Sequence, residues 1–237
     1  LVYAKNTVPG ERYGLARCKG TEIAYAQVTS GAKIVRIIEL TAFILDEYVE
    51  QTICMSTADD VTEEWWIWDS ATSSWDAIEE GDPLAQISIA PMLDYYIFGN
   101  CLYWLDGTKL QKYDGVTRSD VTIIGADDSP ISSGLEDKIH AAIAVERRAQ
   151  RFFYAYGDSE VIFSTVDAPY QFDESEYPIL HANTQDSDRL TALHEFNDGL
   201  LIFKKGSVFY FSGLDFSLTG DTNIIRLNVT SGTIFPR

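Results

Sequence analysis

Hydrophobic residues recur along this chain in short alternating or continuous runs, broken by Gly, Asp, Asn and Ser. That is the spacing of β-strands and tight turns, not the 3.6-residue period of amphipathic helices. Four times an aromatic-rich run meets a short turn and a second run follows. The pairs are Glu64–Asp69 with Trp75–Ile78, Cys101–Leu105 with Lys109–Tyr113, Arg151–Tyr156 with Val161–Thr165, and Leu200–Lys204 with Val208–Phe211. A lone hairpin cannot bury its apolar face, so repeated hairpins must stack on one another.

Extending each pair to its neighbours gives four units. The first runs Ile34–Leu45, a turn at Asp46-Glu47, Tyr48–Thr57, then the two tryptophan-rich runs. The second is Tyr95–Phe98, Cys101–Leu105, Thr108–Tyr113 and Val121–Ile124. It is punctuated by Gly99-Asn100, Asp106-Gly107 and Asp114-Gly115, which supply the positive-φ positions tight turns need. The third is Ile139–Val145, Arg151–Tyr156, Glu160–Thr165 and a looser arm through Phe172 and Ile179. Ile139, Ala141, Ile143 and Val145 alternate as a strand would, and the neighbouring repeats favour that reading. Ser133-Gly134-Leu135-Glu136 resembles a helix capping box, so a helix over Leu135–Arg148 competes. The fourth is Leu190–Phe196, Leu200–Lys204, Ser207–Phe211 and Ile224–Val229. The expected fold is all-β: a β-propeller-like array of about four four-stranded antiparallel meanders over residues 34–237, with a β-sandwich as the alternative. Residues 1–33 read as an N-terminal arm, with Val8-Pro9-Gly10-Glu11-Arg12-Tyr13-Gly14 as a loop. The opening Leu1-Val2-Tyr3-Ala4-Lys5 and the closing Phe235-Pro236-Arg237 resemble cut ends, so the domain is expected to belong to a longer chain.

Composition narrows the function. The 237 residues are 46% hydrophobic and 13% aromatic, enough for a sizeable core. No apolar run reaches the length of a membrane-spanning helix. Eighteen basic residues against 36 acidic ones leave a net charge of −18. A sequence-reading nucleic-acid binder needs a basic footprint instead. Such a surface suits solubility, or a wall that a moving polyanion must not stick to. Cys18, Cys54 and Cys101 are odd in number with no CxxC, which favours a reducing compartment over a disulfide scaffold.

The sequence offers no catalytic, cofactor-binding or metal-binding residues, and the chain reads as a non-enzyme. Phosphate-loop, dinucleotide, zincin and nucleophile-elbow motifs are all missing. His140, His181 and His194 lie far apart, and His194-Glu195 lacks the second histidine of a zinc helix. Asp186-Ser187-Asp188 opens like a calcium loop but continues without its glycine. Asp59-Asp60, Glu79-Glu80-Gly81-Asp82 and Asp127-Asp128 read as solvated turns. Trp65, Trp66, Trp68 and Trp75 fit sheet packing. The rival use is a sugar platform with acids such as Asp94 or Asp106, in a glycan-binding or glycan-cleaving propeller, and a sandwich-type adhesin or receptor-binding module is a third option.

Three stretches carry a family resemblance. Leu102-Tyr103-Trp104-Leu105-Asp106-Gly107 through Leu110-Gln111-Lys112-Tyr113-Asp114-Gly115 is the first. Arg151-Phe152-Phe153-Tyr154-Ala155-Tyr156-Gly157, with Val161-Ile162-Phe163-Ser164-Thr165 and Ala168-Pro169-Tyr170-Gln171-Phe172, is the second. Leu190–Phe196 with Leu200-Leu201-Ile202-Phe203-Lys204-Lys205-Gly206-Ser207-Val208 is the third. Together they resemble β-propeller-type virion proteins of tailed bacteriophages, among them podovirus packaged-DNA stabilisation, tail hub and nozzle proteins. Val8-Pro9-Gly10 matches a common opening of such proteins. The resemblance is best over residues 100–212. It implies a structural role at the head–tail junction or tail, lining or sealing the DNA conduit. It also implies a homo-oligomeric ring, contacts with portal, adaptor or tail proteins, and assembly in the host bacterial cytoplasm. It brings no cofactor, no membrane and no catalytic residues.

Overall fold

The computed structural model describes residues 7–9, 15–17, 33–57, 64–69, 72, 74–77, 92–176, 179–182, 188–197, 199–212 and 223–227. The chain opens on a short antiparallel pair, β1 (Thr7–Pro9) and β2 (Leu15–Arg17), where the sequence pointed to a loop. Four four-stranded sheets follow. The first is β3 (Lys33–Ile44), β4 (Glu47–Thr57), β5 (Glu64–Asp69) and β6 (Ser74–Ala77). The second is β7 (Asp94–Phe98), β8 (Cys101–Leu105), β9 (Leu110–Tyr113) and β10 (Arg118–Asp120). After β11 (Ile124–Gly125) and helix α1 (Ser133–His140) comes the third, with β12 (Ala144–Arg148), β13 (Arg151–Tyr156) and β14 (Glu160–Phe163). Past β15 (Gln171–Phe172) it is completed by β16 (Ile179–His181). The fourth is β17 (Leu190–Phe196), β18 (Gly199–Lys204), β19 (Val208–Ser212) and β20 (Asn223–Leu227). Within each sheet the strands pair in chain order, so each is a meander. The fold is all-β and propeller-like. By backbone contacts the chain divides into two compact units, one of Leu1–Pro91, Ile97–Leu102 and Tyr113–Arg118, the other of Met92–Tyr96, Tyr103–Lys112 and Ser119–Arg237.

In the first unit, β3 alternates as a half-buried strand should. Ile38, Leu40 and Ala42 are buried while Ile37 and Phe43 are exposed. Gly115 lies against the buried side of this hairpin. A Cβ there would stand 2.3 Å from that of Ala42, and its φ of +98° disfavours any side chain. Gln51 Nε2 donates to the Gly115 carbonyl at 3.0 Å and fixes the approach.

In the second unit, the third and fourth sheets share one core. Phe153, Ala155, Val161 and Phe163 of the third pack with Leu193, Leu200, Ile202, Phe209 and Phe211 of the fourth. The rings of Phe153 and Phe211 lie 6.4 Å apart. The other side of β13 carries Phe152 and Tyr154, which meet Tyr96 at ring distances of 4.6 and 6.4 Å. Both faces of β13 are therefore covered, which explains why its sequence is a continuous apolar run. In β18 buried and half-buried positions alternate instead, the signature of one covered face.

Three expectations are corrected. Residues 133–140 form the helix that competed with the strand, and the third sheet begins only at Ala144. Leu135 and Ile139, four apart, are its buried stripe, with Glu136 in the first turn and Lys138 and His140 in the last. No side chain caps it as the capping-box reading required. Ser132 is the N-cap, and its N–H and hydroxyl both donate to the Glu174 carboxylate. The second meander closes with β10 rather than Val121–Ile124. Ile124 and Gly125 pair in parallel with Gln171 and Phe172. The turn of the first hairpin is Leu45-Asp46, one residue earlier than expected, with φ of 50° and 66°.

Candidate functional site

Of the two acids that sequence offered as candidate chemistry, Asp106 builds a turn and Asp94 opens β7. Asp106 Oδ1 accepts the N–H groups of Thr108 and Lys109 and the Thr108 hydroxyl, each at 2.7 Å, and its Oδ2 accepts Gln111 Nε2 at 2.6 Å. Partial burial alone would raise the Asp106 pKa. The hydrogen bonds outweigh that and hold it below the usual carboxylate range. Asp114 repeats the device on Val116 and Thr117. Asp127 closes on Ser129, whose hydroxyl and N–H hold its carboxyl low, and Asp173 closes on Ser175. An aspartate with Ser or Thr two or three residues on is thus the recurrent turn former of this chain. Asp94 accepts the N–H of Tyr95 and, across to the third sheet, that of Val145 at 2.9 Å.

The histidines serve separate places. His140 Nδ1 accepts the Leu110 N–H at 2.9 Å, and its Nε2 faces Glu136 at 3.8 Å. His194 Nδ1 lies 3.4 Å from Glu146, and His181 is exposed at the end of β16. Among the described residues no three His, Cys, Asp or Glu side chains gather as metal ligands. Cys54 is buried, and burial pushes its thiol up to about 11, far from the thiolate a nucleophile needs. Cys101 is half-buried beside the Gly99 carbonyl. Cys18, Asp59-Asp60, Glu79–Asp82 and Asp186 lie outside the described residues.

Trp65 is buried, whereas Trp66, Trp68 and Trp75 are half-buried and share the opposite face of the first sheet. Trp66 Nε1 donates to Ser56 Oγ at 3.0 Å. Trp68 and Trp75 are cross-strand partners meeting edge to face at 5.3 Å.

The concavity that sequence did not foreshadow is a shallow cleft of about 470 Å³ at the start of α1, lined by Ser132, Leu135, Lys138, Glu174, Ile179 and His181. The Ser132–Glu174 contact spans 42 residues, a separation no local pattern reports. Lys138 is paired with Glu160 at 2.6 Å. Glu174 accepts hydrogen bonds from the Ser132 N–H and hydroxyl. Two cations buried elsewhere in this unit are also accounted for. Arg148 lies over the Phe211 ring at 5.5 Å, and Lys204 donates to the Ala182 carbonyl at 3.1 Å.

No protein-family model matches the sequence, and no curated protein matches it. Solved structures do resemble it in fold. The AfRom2 CNH domain superposes with a TM-score of 0.50 at 7% identity, over 94% of this chain and 60% of that one. YCF48 bound to D1 peptide gives 0.44 at 10% identity, covering 73% of this chain and 49% of that chain. The computationally designed Ika4 protein gives 0.41 at 14% identity, over 81% and 98%. The present chain thus spans about half of the YCF48 chain it matches. At these identities the CNH likeness is one of fold alone.

Proposed function

We propose that this chain is a structural component of a tailed-bacteriophage virion, set at the head–tail junction or in the tail. It would work as a rigid block in an oligomeric ring with portal, adaptor or tail proteins, lining or sealing the DNA conduit. The observation that carries the reading is where the resemblance falls. Its three stretches coincide with β8–β9, β13–β14 and β17–β19, hairpins of the meanders, and the second also takes in β15, which pairs with β11. The aspartates in those stretches, Asp106 and Asp114, form turns. The acidic excess supports a wall that repels passing DNA. Peptide mass spectrometry of purified particles tests the proposal. A fixed, whole-number copy ratio to the portal protein supports it, and absence from intact particles refutes it.

The half-buried face of Trp66, Trp68 and Trp75 favours a second reading, a glycan-binding or glycan-cleaving propeller. A glycan array and a saccharide hydrolysis assay decide it. Signal lost on Trp68→Ala would support this reading, and a blank array with no turnover would remove it.

A further inference from the structure

We propose that the outer edge of β3 pairs with the same edge of a second copy of this chain, antiparallel and centred on Leu40. β3 is 12 residues long and, among the described residues, ends the strand order of its sheet. Exposed edges are usually blunted by proline, brevity or a bulge. β3 contains no proline, and its register shift lies at its start, between Ile34 and Arg36, so the ladder from Arg36 to Ile44 is regular.

The hairpin sets which groups face outward. Its loop has two residues, so the flanking pair Ile44 and Glu47 is of the hydrogen-bonded kind. By alternation Ile38, Leu40 and Ala42 direct their N–H and C=O groups to β4. Ile37, Glu39, Thr41 and Phe43 direct theirs to the open edge. The side chains of those four are also exposed, Ile37 by 48% and Phe43 by 51%.

The edge is complementary to itself in one register. A two-fold axis at Leu40 sets Ile37 opposite Phe43 and Glu39 opposite Thr41, each twice. Moving the axis to Glu39 opposes two carboxylates, and moving it to Thr41 sets Glu39 against Phe43. From Leu40 to Thr52 the hairpin carries Asp46, Glu47 and Glu50 and no base. In the Leu40 register Arg36 of each copy lies opposite Ile44 of the other, next to that copy's Glu47. Basic and acidic ends therefore meet. The overall charge of −18 opposes approach, so salt should strengthen the pairing. This inference does not rest on the virion reading: a two-fold pair is not a ring, and its failure leaves that reading intact.

Sedimentation equilibrium of the full chain tests it, with Thr41→Pro as the main variant. Proline there removes one outward N–H while sparing the ladder to β4. The expected result is a monomer–dimer equilibrium whose Kd falls on the order of tenfold from about 0.05 to about 0.5 M NaCl. Thr41→Pro should be monomeric with an unchanged far-UV spectrum. If that variant does not fold, the double variant Ile37→Lys/Phe43→Lys, on exposed side chains, takes its place. In the wild type, hydrogen exchange at Ile37, Glu39, Thr41 and Phe43 should slow as protein concentration rises. A wild type that stays monomeric at about 100 µM, a dimer that survives both variants, or exchange independent of concentration would overturn the proposal.

Discussion

Tyr154 links two buried polar partners through one hydroxyl. Its hydroxyl donates to the Pro169 carbonyl at 2.7 Å, so the Tyr96 hydroxyl, 3.0 Å away, must donate to it. Tyr154→Phe strands both the Tyr96 donor and the Pro169 acceptor. It should cost about 1–3 kcal/mol in urea unfolding, whereas Tyr96→Phe removes only the end of the chain and should cost about 1 kcal/mol or less. Burial, the larger cause, and the neighbouring tyrosines raise the pKa of Tyr96, and burial raises that of Tyr154 despite its bond to Tyr96. The folded state therefore holds these protons after the unfolded chain has released its own. Their contribution is complete below the ordinary tyrosine range and is lost as pH climbs above about 10. Asp106 acts in the opposite sense. Its lowered pKa gives stability that is present above the ordinary carboxylate range and lost as pH falls through it. Unfolding midpoints across pH should drop on both flanks, with the alkaline drop smaller in Tyr96→Phe/Tyr154→Phe and the acid drop smaller in Asp106→Asn.

At the scale of elements, glycines and paired sheets set the sensitive points. Gly199 opens β18 with the Tyr210 ring so close that a Cβ would stand 2.2 Å from it. The ring covers the bare backbone, and Gly199→Ala must push it aside, at a cost of about 1–3 kcal/mol, readable as a lower thermal midpoint. Phe153→Ala would open a cavity between the third and fourth sheets and should cost about 3–5 kcal/mol. Most strands were legible because aromatic runs met Gly, Asp or Asn turns, as at Gly99-Asn100, which takes φ of 55° and 62°. Others were not. Ala149-Gln150 turns β12 into β13 with φ of 48° and 63°, using residues that carry no turn signal. Residues 133–145 satisfy both periods at once. Ile139 and Val145 fit a strand and Leu135 and Ile139 fit a helix, and burial of the helix stripe decided between them. The cleft at α1 stayed hidden because it is made by residues such as Ser132 and Glu174, joined only by the fold.

For the whole molecule, the described strands form four four-stranded meanders. Within the second unit, the fully covered β13 and the half-covered β18 show how a meander gains a core from its neighbour. Among the described residues, Asp106, Asp114, Asp127 and Asp173 are used to close turns. The most direct test of the proposed virion role is cryo-electron microscopy of intact tailed-phage particles whose genome encodes this chain. The account predicts repeated copies around the head–tail axis, each showing radial four-stranded meanders with acidic residues toward the DNA path. A particle with no density for the chain, or copies built as two face-to-face sheets away from that axis, would contradict it.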